Sequence, residues 1–146
     1  AEPEFLNKFI MLKQGADLQS STISQMEIAK FLELYDIEKH IQKIIDLYKA
    51  RRDLMMKTME EEFPEGVSYT YPEGGLFTWV ILPEYMNARE LAVKALEQKV
   101  AYVPGGSFFP NGGNENTFRL NYSNMNEEKI VEGIKRLGKV IKDAMK

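Results

Sequence analysis

The chain has 146 residues and a net charge of −3, a length that suits one domain, or one domain with a helical arm, and that buries a core without disulfides. Nineteen basic residues against twenty-two acidic ones leave no clustered basic excess, so the sequence predicts no nucleic-acid contacts. The lack of cysteine and the single histidine, His40, exclude disulfides, cysteine nucleophiles and multi-histidine metal sites. We expect no metal, no membrane contact and a cytoplasmic location, because no apolar run approaches about 18 residues and no signal-peptide pattern opens the chain.

The first half of the sequence predicts helices. Pro3 suits a first helical turn, and Gly15 is expected to cap the end of that helix. After a polar connector, Ser24 and Glu27 have the spacing of a capping box for a second helix that continues to about Leu34. A third helix of about 26 residues is predicted from Asp36 to the stop at residues 64–66. His40 is expected to be exposed on it. Its apolar residues recur at helical spacing and predict one stripe: Ile41, Ile44, Ile45, Tyr48, Met55, Met56, Met59 and Phe63.

The period changes at Val67. Residues 67–71 alternate and residues 76–82 are almost wholly apolar, which predicts an antiparallel pair whose second strand is buried on both faces. A helix follows from residue 87 or 88 to Gln98, with Leu96 among its inward residues, and then a short strand over residues 100–103. Residues 117–122 predict another strand, and the last helix is expected to be capped by Asn124 or Asn126. The predicted fold class is α+β, with a small, mostly antiparallel sheet covered on one face by helices and preceded by a long helical arm.

One arginine stands apart from the others. Arg119 lies between core residues of a predicted strand, and strand alternation sends its side chain, with that of Asn121, to the face opposite Phe118 and Leu120. A planar guanidinium in such a place can hold a carboxylate through two parallel hydrogen bonds. The alternatives are an arginine that pairs with a local acid and one that simply faces solvent. The remaining arginines lie in predicted helices, where a solvated helix face explains them: Arg51, Arg52, Arg89 and Arg136.

The sequence offers little other chemistry. The loop at residues 104–109 resembles a phosphate cradle, but it lacks the Lys-Ser/Thr pair of a P-loop and is predicted to be a turn. The three glutamates at residues 60–62 are expected to be a solvated run at a helix end. Neither a catalytic triad nor a catalytic carboxylate pair emerges from the spacing.

Four motifs in sequence order resemble the C-terminal part of the class I/II pyridoxal-phosphate-dependent aminotransferases of fold type I. They are Tyr-Pro-Glu-Gly-Gly-Leu-Phe-Thr-Trp-Val at residues 71–80, Val-Pro-Gly-Gly-Ser-Phe-Phe at 103–109, Phe-Arg-Leu-Asn-Tyr-Ser at 118–123, and Ile-Val-Glu-Gly-Ile-Lys-Arg-Leu at 130–137. The chain is most similar to the 2-aminoadipate/kynurenine-type branch, which includes the catalytic domains of some fused transcription regulators. The resemblance covers nearly the whole chain and roughly the last third of a family member.

The resemblance implies a function and a division of the chain. It implies an enzyme that moves an amino group from an amino acid to a 2-oxo acid through pyridoxal 5'-phosphate, as a homodimer, with Arg119 binding the substrate carboxylate and Asn121 in a supporting role. Residues 1–35 would be a remnant of the large-domain end with its connector helices, residues 36–66 the linking helix, and residues 67–146 the small domain that closes over the substrate.

The departures from the family pattern concern the cofactor. The Ser-x-x-Lys-type segment with the Schiff-base lysine and the Pro-Gly-x-Arg-x-Gly phosphate-binding segment are both absent from the sequence. The fragment is therefore expected to contain no catalytic residue, to bind no cofactor alone and to be inactive alone. The alternatives are a stand-alone α+β small-molecule-binding or regulatory module without catalysis, and a helix-mediated interaction protein built on the methionine-rich helix.

Overall fold

A computed structural model describes residues 2–146 as helices α1–α5, strands β1–β4 and one short 3-10 helix. The chain divides into two compact units after Lys43, and each is considered by itself below. None of the described helices is long and apolar enough to cross a membrane.

The first unit contains two short helices and the first turns of a third. Helix α1 spans Pro3–Ala16 and helix α2 spans Thr22–Leu34. The prediction that Gly15 caps α1 was wrong, because Gly15 lies inside the helix and the left-handed conformation falls on Leu18, with φ of 54°. The predicted cap of α2 was also wrong. The Ser21 hydroxyl, three residues earlier, accepts a hydrogen bond from the Ser24 amide, and either serine has the chemistry of a cap.

Helices α1 and α2 carry exposed apolar side chains. Neither helix contains a buried residue. Phe5 is 65% exposed, Phe9 67% and Ile23 70%. The two helices therefore present apolar surface that the first unit does not bury by itself.

Helix α3 spans Ile37–Glu62, and its length of 26 residues confirms the predicted long helix. The Asp36 carboxylate accepts a hydrogen bond from the Lys39 amide and so caps its first turn. His40 is exposed, as expected. The predicted apolar stripe belongs to the core only near the C-terminal end of α3, where Met55, Met56 and Met59 are buried. Ile41 and Ile45, nearer the start of the helix, are 40% and 50% exposed.

The second unit contains a four-stranded sheet in which every pair is antiparallel. Strands β1 (Ser68–Tyr69), β2 (Phe77–Ile81), β3 (Val103–Pro104) and β4 (Thr117–Asn121) lie in the order β1-β2-β4-β3. Strand β3 begins later than the predicted 100–103. The amides of residues 98–100 instead close the end of helix α4, where Val100 donates to the Ala95 carbonyl and Lys99 takes a φ of 60°.

Helices cover one face of this sheet. Helix α4 (Ala88–Glu97), capped by Asn87, and helix α5 (Glu127–Ala144), capped by Asn126, share one core with the C-terminal part of α3. This arrangement confirms the predicted fold class. The inward residues are buried in a single cluster that includes Val80, Phe118, Leu120, Tyr122, Leu91, Ala95, Ile130, Ile134, Leu137 and Ile141.

Two burial predictions are wrong, one in strand β2 and one in helix α4. Strand β2 is buried on one face only, since Thr78 and Val80 point to the helices while Phe77 and Ile81 are 38% and 39% exposed. Leu96 on α4 is 59% exposed rather than inward. A wholly apolar run predicts cover on both sides. Residues 44–146 place α-helices on only one side of the sheet, so alternate residues of strand β2 face outward.

Candidate functional site

The sheet face that the helices leave open carries Arg119 near its centre. Strand β4 alternates as predicted, with Phe118 and Leu120 buried on the helical side and Arg119 half-buried on the other. In the strand register, Arg119 lies between Trp79 of β2 and Val103 of β3. The guanidinium therefore projects from the middle of three strands, on a face lined by apolar side chains.

Aromatic rings, and no acid, contact this guanidinium. The Cζ atom of Arg119 lies 3.9 Å from the centroid of the Phe77 ring and 4.8 Å from that of Phe108. No hydrogen bond or ion pair joins the side chain of Arg119 to another residue within the described range 2–146. Of the interpretations left open by the sequence, pairing with a local acid is therefore wrong. A guanidinium can stack on a ring with its flat face, and its N–H donors then remain available at its edge.

Phe108 reaches Arg119 because a glycine allows its loop to approach the sheet. Residues Gly105–Phe108 form a short 3-10 helix, where the sequence predicted a turn. A Cβ atom on Gly105 would overlap the Thr117 hydroxyl and would lie 2.8 Å from both the Thr117 carbonyl oxygen and a Trp79 ring carbon. The Trp79 ring in turn meets Phe108 edge-on, with centroids 5.6 Å apart. The glycine-rich loop thus packs against the sheet at the site.

Asn121, the predicted supporting residue, lies at the exposed end of β4 and is engaged locally. Its side-chain oxygen accepts hydrogen bonds from the amides of Ser123 and Asn124 and from the Ser123 hydroxyl. These contacts fix the turn that leaves the strand, in the manner of an Asx turn. The side-chain carbonyl of Asn121 is accordingly used by the fold.

Two arginines that the sequence analysis assigned to a solvated helix face are instead largely buried. The side chains of Arg51 and Arg52 on α3 are 15% and 14% exposed. Arg51 donates to the Ser123 carbonyl oxygen at 2.6 Å and to the Glu127 carboxylate at 3.2 Å. Their spacing in the sequence could have predicted this burial. Each arginine lies four residues before a buried methionine, Met55 or Met56, and so on the same helix face.

Arg52 holds the turn that precedes strand β2. It donates to the Pro72 carbonyl oxygen at 3.1 Å and to the Asp53 carboxylate at 2.7 Å, and its guanidinium lies 5.2 Å from the centroid of the Tyr71 ring. The hydrogen bonds from Arg52 and from the Tyr71 hydroxyl lower the pKa of Asp53 below its ordinary 3.8. Helix α3 is thereby bonded to both turns that flank the paired strands β2 and β4.

Among residues 2–146 no group of three or more histidine, aspartate or glutamate side chains is placed to hold a metal ion. Arg119, with its open donors on an apolar face, is therefore the chemically distinctive group of the outer sheet face. A bidentate bond to a carboxylate is the interaction that such a group makes best.

A comparison of the sequence with models of protein families identifies the family of this chain. The sequence model described as "Aminotransferase class I and II" matches residues 9–137. The chain belongs to this family. The match includes Arg119, both of its ring partners and all four strands of the sheet, and it ends within helix α5.

Individual aminotransferases resemble the chain throughout its length. An aromatic-amino-acid aminotransferase from Thermococcus litoralis is 49% identical over 146 residues, which are 100% of this chain and 35% of that protein. A kynurenine aminotransferase from Pyrococcus horikoshii, solved with PMP and KYN as substrates, superposes with a TM-score of 0.90 at 41% identity over 99% of this chain and 36% of its own. An α-aminoadipate aminotransferase from Thermus thermophilus, solved with N-(5'-phosphopyridoxyl)-L-leucine, gives 0.87 at 40% identity over 99% and 37%.

These findings confirm the resemblance to class I/II aminotransferases and to the aminoadipate and kynurenine-type members. They also show that the resemblance covers only part of each relative, since the chain spans about a third of the length of the relatives that it matches.

Proposed function

We propose that this chain is the C-terminal, substrate-carboxylate-binding part of an aminotransferase that moves an amino group from an amino acid to a 2-oxo acid. The family match and the names of the relatives support the reaction class. The position of the Arg119 guanidinium on an open sheet face supports this role. The guanidinium contacts aromatic rings and has no acidic partner among residues 2–146.

The proposed role of Arg119 is to bind and orient. Amino acids and 2-oxo acids both carry a carboxylate next to the reacting carbon. A bidentate guanidinium bond fixes two oxygens of that group and so limits where the reacting carbon can lie. A lysine in the same position would supply charge without the planar, two-point geometry. One arginine can therefore serve both halves of the reaction.

The residues of this chain do not by themselves make a site for pyridoxal phosphate. The sequence contains neither a Ser-x-x-Lys segment nor a Pro-Gly-x-Arg-x-Gly segment. In the enzyme the cofactor supplies the electron sink for amino-group transfer; what this chain contributes is the carboxylate site. We infer that the 146-residue chain is inactive alone, and that incubation with pyridoxal phosphate followed by borohydride labels no single lysine stoichiometrically.

The same proposal covers the organisation of the whole protein. Residues 1–35 would pack as the end of a large domain, which the exposed apolar side chains of α1 and α2 support. Residues 36–66 would be the linking helix and residues 67–146 the small domain that closes over the substrate. A homodimer and a cytoplasmic location complete the proposal. An in-frame upstream segment with the cofactor lysine would support it over a stand-alone binding module.

The test of the proposed function replaces Arg119 in the longer protein that carries this chain. Arg119→Ala removes two charge-assisted hydrogen bonds, so the Michaelis constant for the amino acid should rise about 100-fold. Arg119→Lys should recover only part of the loss, because the ammonium group cannot bind both oxygens in plane. Steady-state kinetics with a saturating 2-oxo acid measures both.

The matched control is Arg136→Ala, which removes an arginine from the helical side of the same domain, where it pairs with Glu132 at 2.8 Å. Its Michaelis constant should stay within about twofold of the unsubstituted enzyme, as expected for an exposed ion pair. Equal effects of the Arg119→Ala and Arg136→Ala substitutions would remove Arg119 from the carboxylate site.

A further inference from the structure

Two phenylalanine rings contact the guanidinium of Arg119 from separate parts of the chain. Phe77 belongs to strand β2, with its ring centroid 3.9 Å from the Cζ atom, and Phe108 belongs to the 3-10 helix, with its centroid at 4.8 Å. We propose that Phe77 and Phe108 are positioning residues that hold this guanidinium so that its donor edge faces a carboxylate. The inference deepens the proposed function and rests on it.

The geometry separates the surface used for positioning from the surface used for binding. The face of an aromatic ring attracts a cation, and a planar guanidinium can stack on it with its own flat face. A carboxylate binds in the plane of the guanidinium, at the N–H edge. An acidic neighbour would orient the arginine equally well, but it would occupy those N–H groups and compete with the substrate. The two rings orient Arg119 and consume none of its donors.

Each ring is itself held by the fold. The backbone of Phe77 is paired with Asn121 in the β2–β4 register. The ring of Phe108 meets the edge of Trp79 at 5.6 Å, and its loop is seated by the absence of a side chain on Gly105. Two rings anchored in separate elements therefore limit the rotamers that the long side chain of Arg119 can adopt.

The exposure of the rings argues against a role in the core. Phe77 is 38% exposed and Phe108 46% exposed, while the core of the same unit lies on the opposite face of the sheet. Shortening either ring should leave the domain folded. The effect on Arg119 can therefore be measured in an intact protein.

The experiment compares Phe77→Leu and Phe108→Leu in the longer enzyme that carries this chain. Leucine keeps apolar bulk and lacks a π face, so the Michaelis constants for the amino acid and the 2-oxo acid should each rise roughly fivefold, with kcat changed less than about twofold. Phe77→Tyr and Phe108→Tyr keep the π face and should restore both constants. Phe109→Leu is the matched control, because Phe109 meets Trp79 at 6.2 Å and makes no ring contact with Arg119.

A double-mutant cycle decides whether the rings act through Arg119. In an Arg119→Ala background, Phe77→Leu and Phe108→Leu should cause no further loss of kcat/KM, because no guanidinium remains to be positioned. A full additional loss in that background would overturn the inference and assign the rings to the substrate directly. Unchanged constants for both leucine variants, beside a large loss in Arg119→Ala, would also overturn it while leaving the proposed function intact. No loss in Arg119→Ala itself would overturn the proposed function.

Discussion

For single residues, strand alternation predicts the sheet face on which Arg119 lies. It does not predict which residues contact the guanidinium. The pattern around Phe118 and Leu120 places the guanidinium on the outer face, where the structure has it. The contacts with Phe77 and Phe108 depend on the β2–β4 register and on the approach of a loop, which are set by pairing between distant segments. Local periodicity carries no information on such pairing.

Gly105 makes the approach of that loop possible, and its substitution is predicted to be costly. Gly105→Ala places a methyl group against Thr117 and Trp79, where the neighbouring atoms include backbone. The free energy of unfolding should fall by about 1–3 kcal/mol, as for other overpacked sites. Urea denaturation followed by tryptophan fluorescence reports it through Trp79.

Gly106→Ala is the control for this substitution. The three atoms nearest to its methyl group would belong to the carboxylate end of the Glu115 side chain, which can move aside. We expect a change in unfolding free energy within about 0.5 kcal/mol. Equal destabilisation by the two alanines would show that the loop does not depend on the close approach at Gly105.

At the scale of elements, the number, type and order of the helices and of the longer strands follow from the sequence, and their ends do not. Ser21 and Ser24 have the same capping chemistry, so the start of α2 is decided by the fold. The mistaken assignment of Arg52 has a related cause. A helical arginine looks solvated until the turn at Pro72 is known to pass beside it.

The link between α3 and that turn predicts a pH dependence of stability. Because the pKa of Asp53 is lowered in the folded state, the carboxylate stabilises the fold above the ordinary value of 3.8, and this contribution is lost as the pH falls through the lower folded-state pKa. Asp53→Asn should therefore lower the urea midpoint at pH 7. The difference from the unsubstituted chain should shrink towards pH 2.

The control for this prediction is Glu61→Gln, which removes an exposed carboxylate from the same helix. It should shift the midpoint less than Asp53→Asn at pH 7. A deficit in Asp53→Asn that is the same at pH 7 and pH 2 would contradict the assigned ionic link with Arg52, and would point to lost packing instead.

At the scale of the whole molecule, the two units differ in how much of their apolar surface is buried. The sheet-bearing unit has a continuous core, whereas α1 and α2 contain no buried residue. The periodicity of α1 and α2 predicted their helices correctly. It could not show that their apolar side chains are left exposed by the first unit, because an apolar stripe has the same sequence pattern whether or not a partner covers it.

Hydrogen exchange should show this difference directly. In the 146-residue chain, amides of α1 and α2 should exchange far faster than those of β2, β4 and α5, because uncovered short helices are marginal in water. In the longer protein the same amides should become protected if residues 1–35 pack as proposed. Equal protection of all helices in the 146-residue chain would contradict the proposed division.

The proposed binding of the substrate carboxylate to Arg119 can be tested by comparing an amino acid with its amide as substrates. In the longer enzyme, kcat/KM for the acid should exceed that for the amide by about 100-fold, since the amide cannot form the charge-assisted pair. In Arg119→Ala, the value for the acid should fall to that for the amide, and the amide's own value should be nearly unchanged. An unchanged preference for the acid in Arg119→Ala would contradict the proposed role of Arg119.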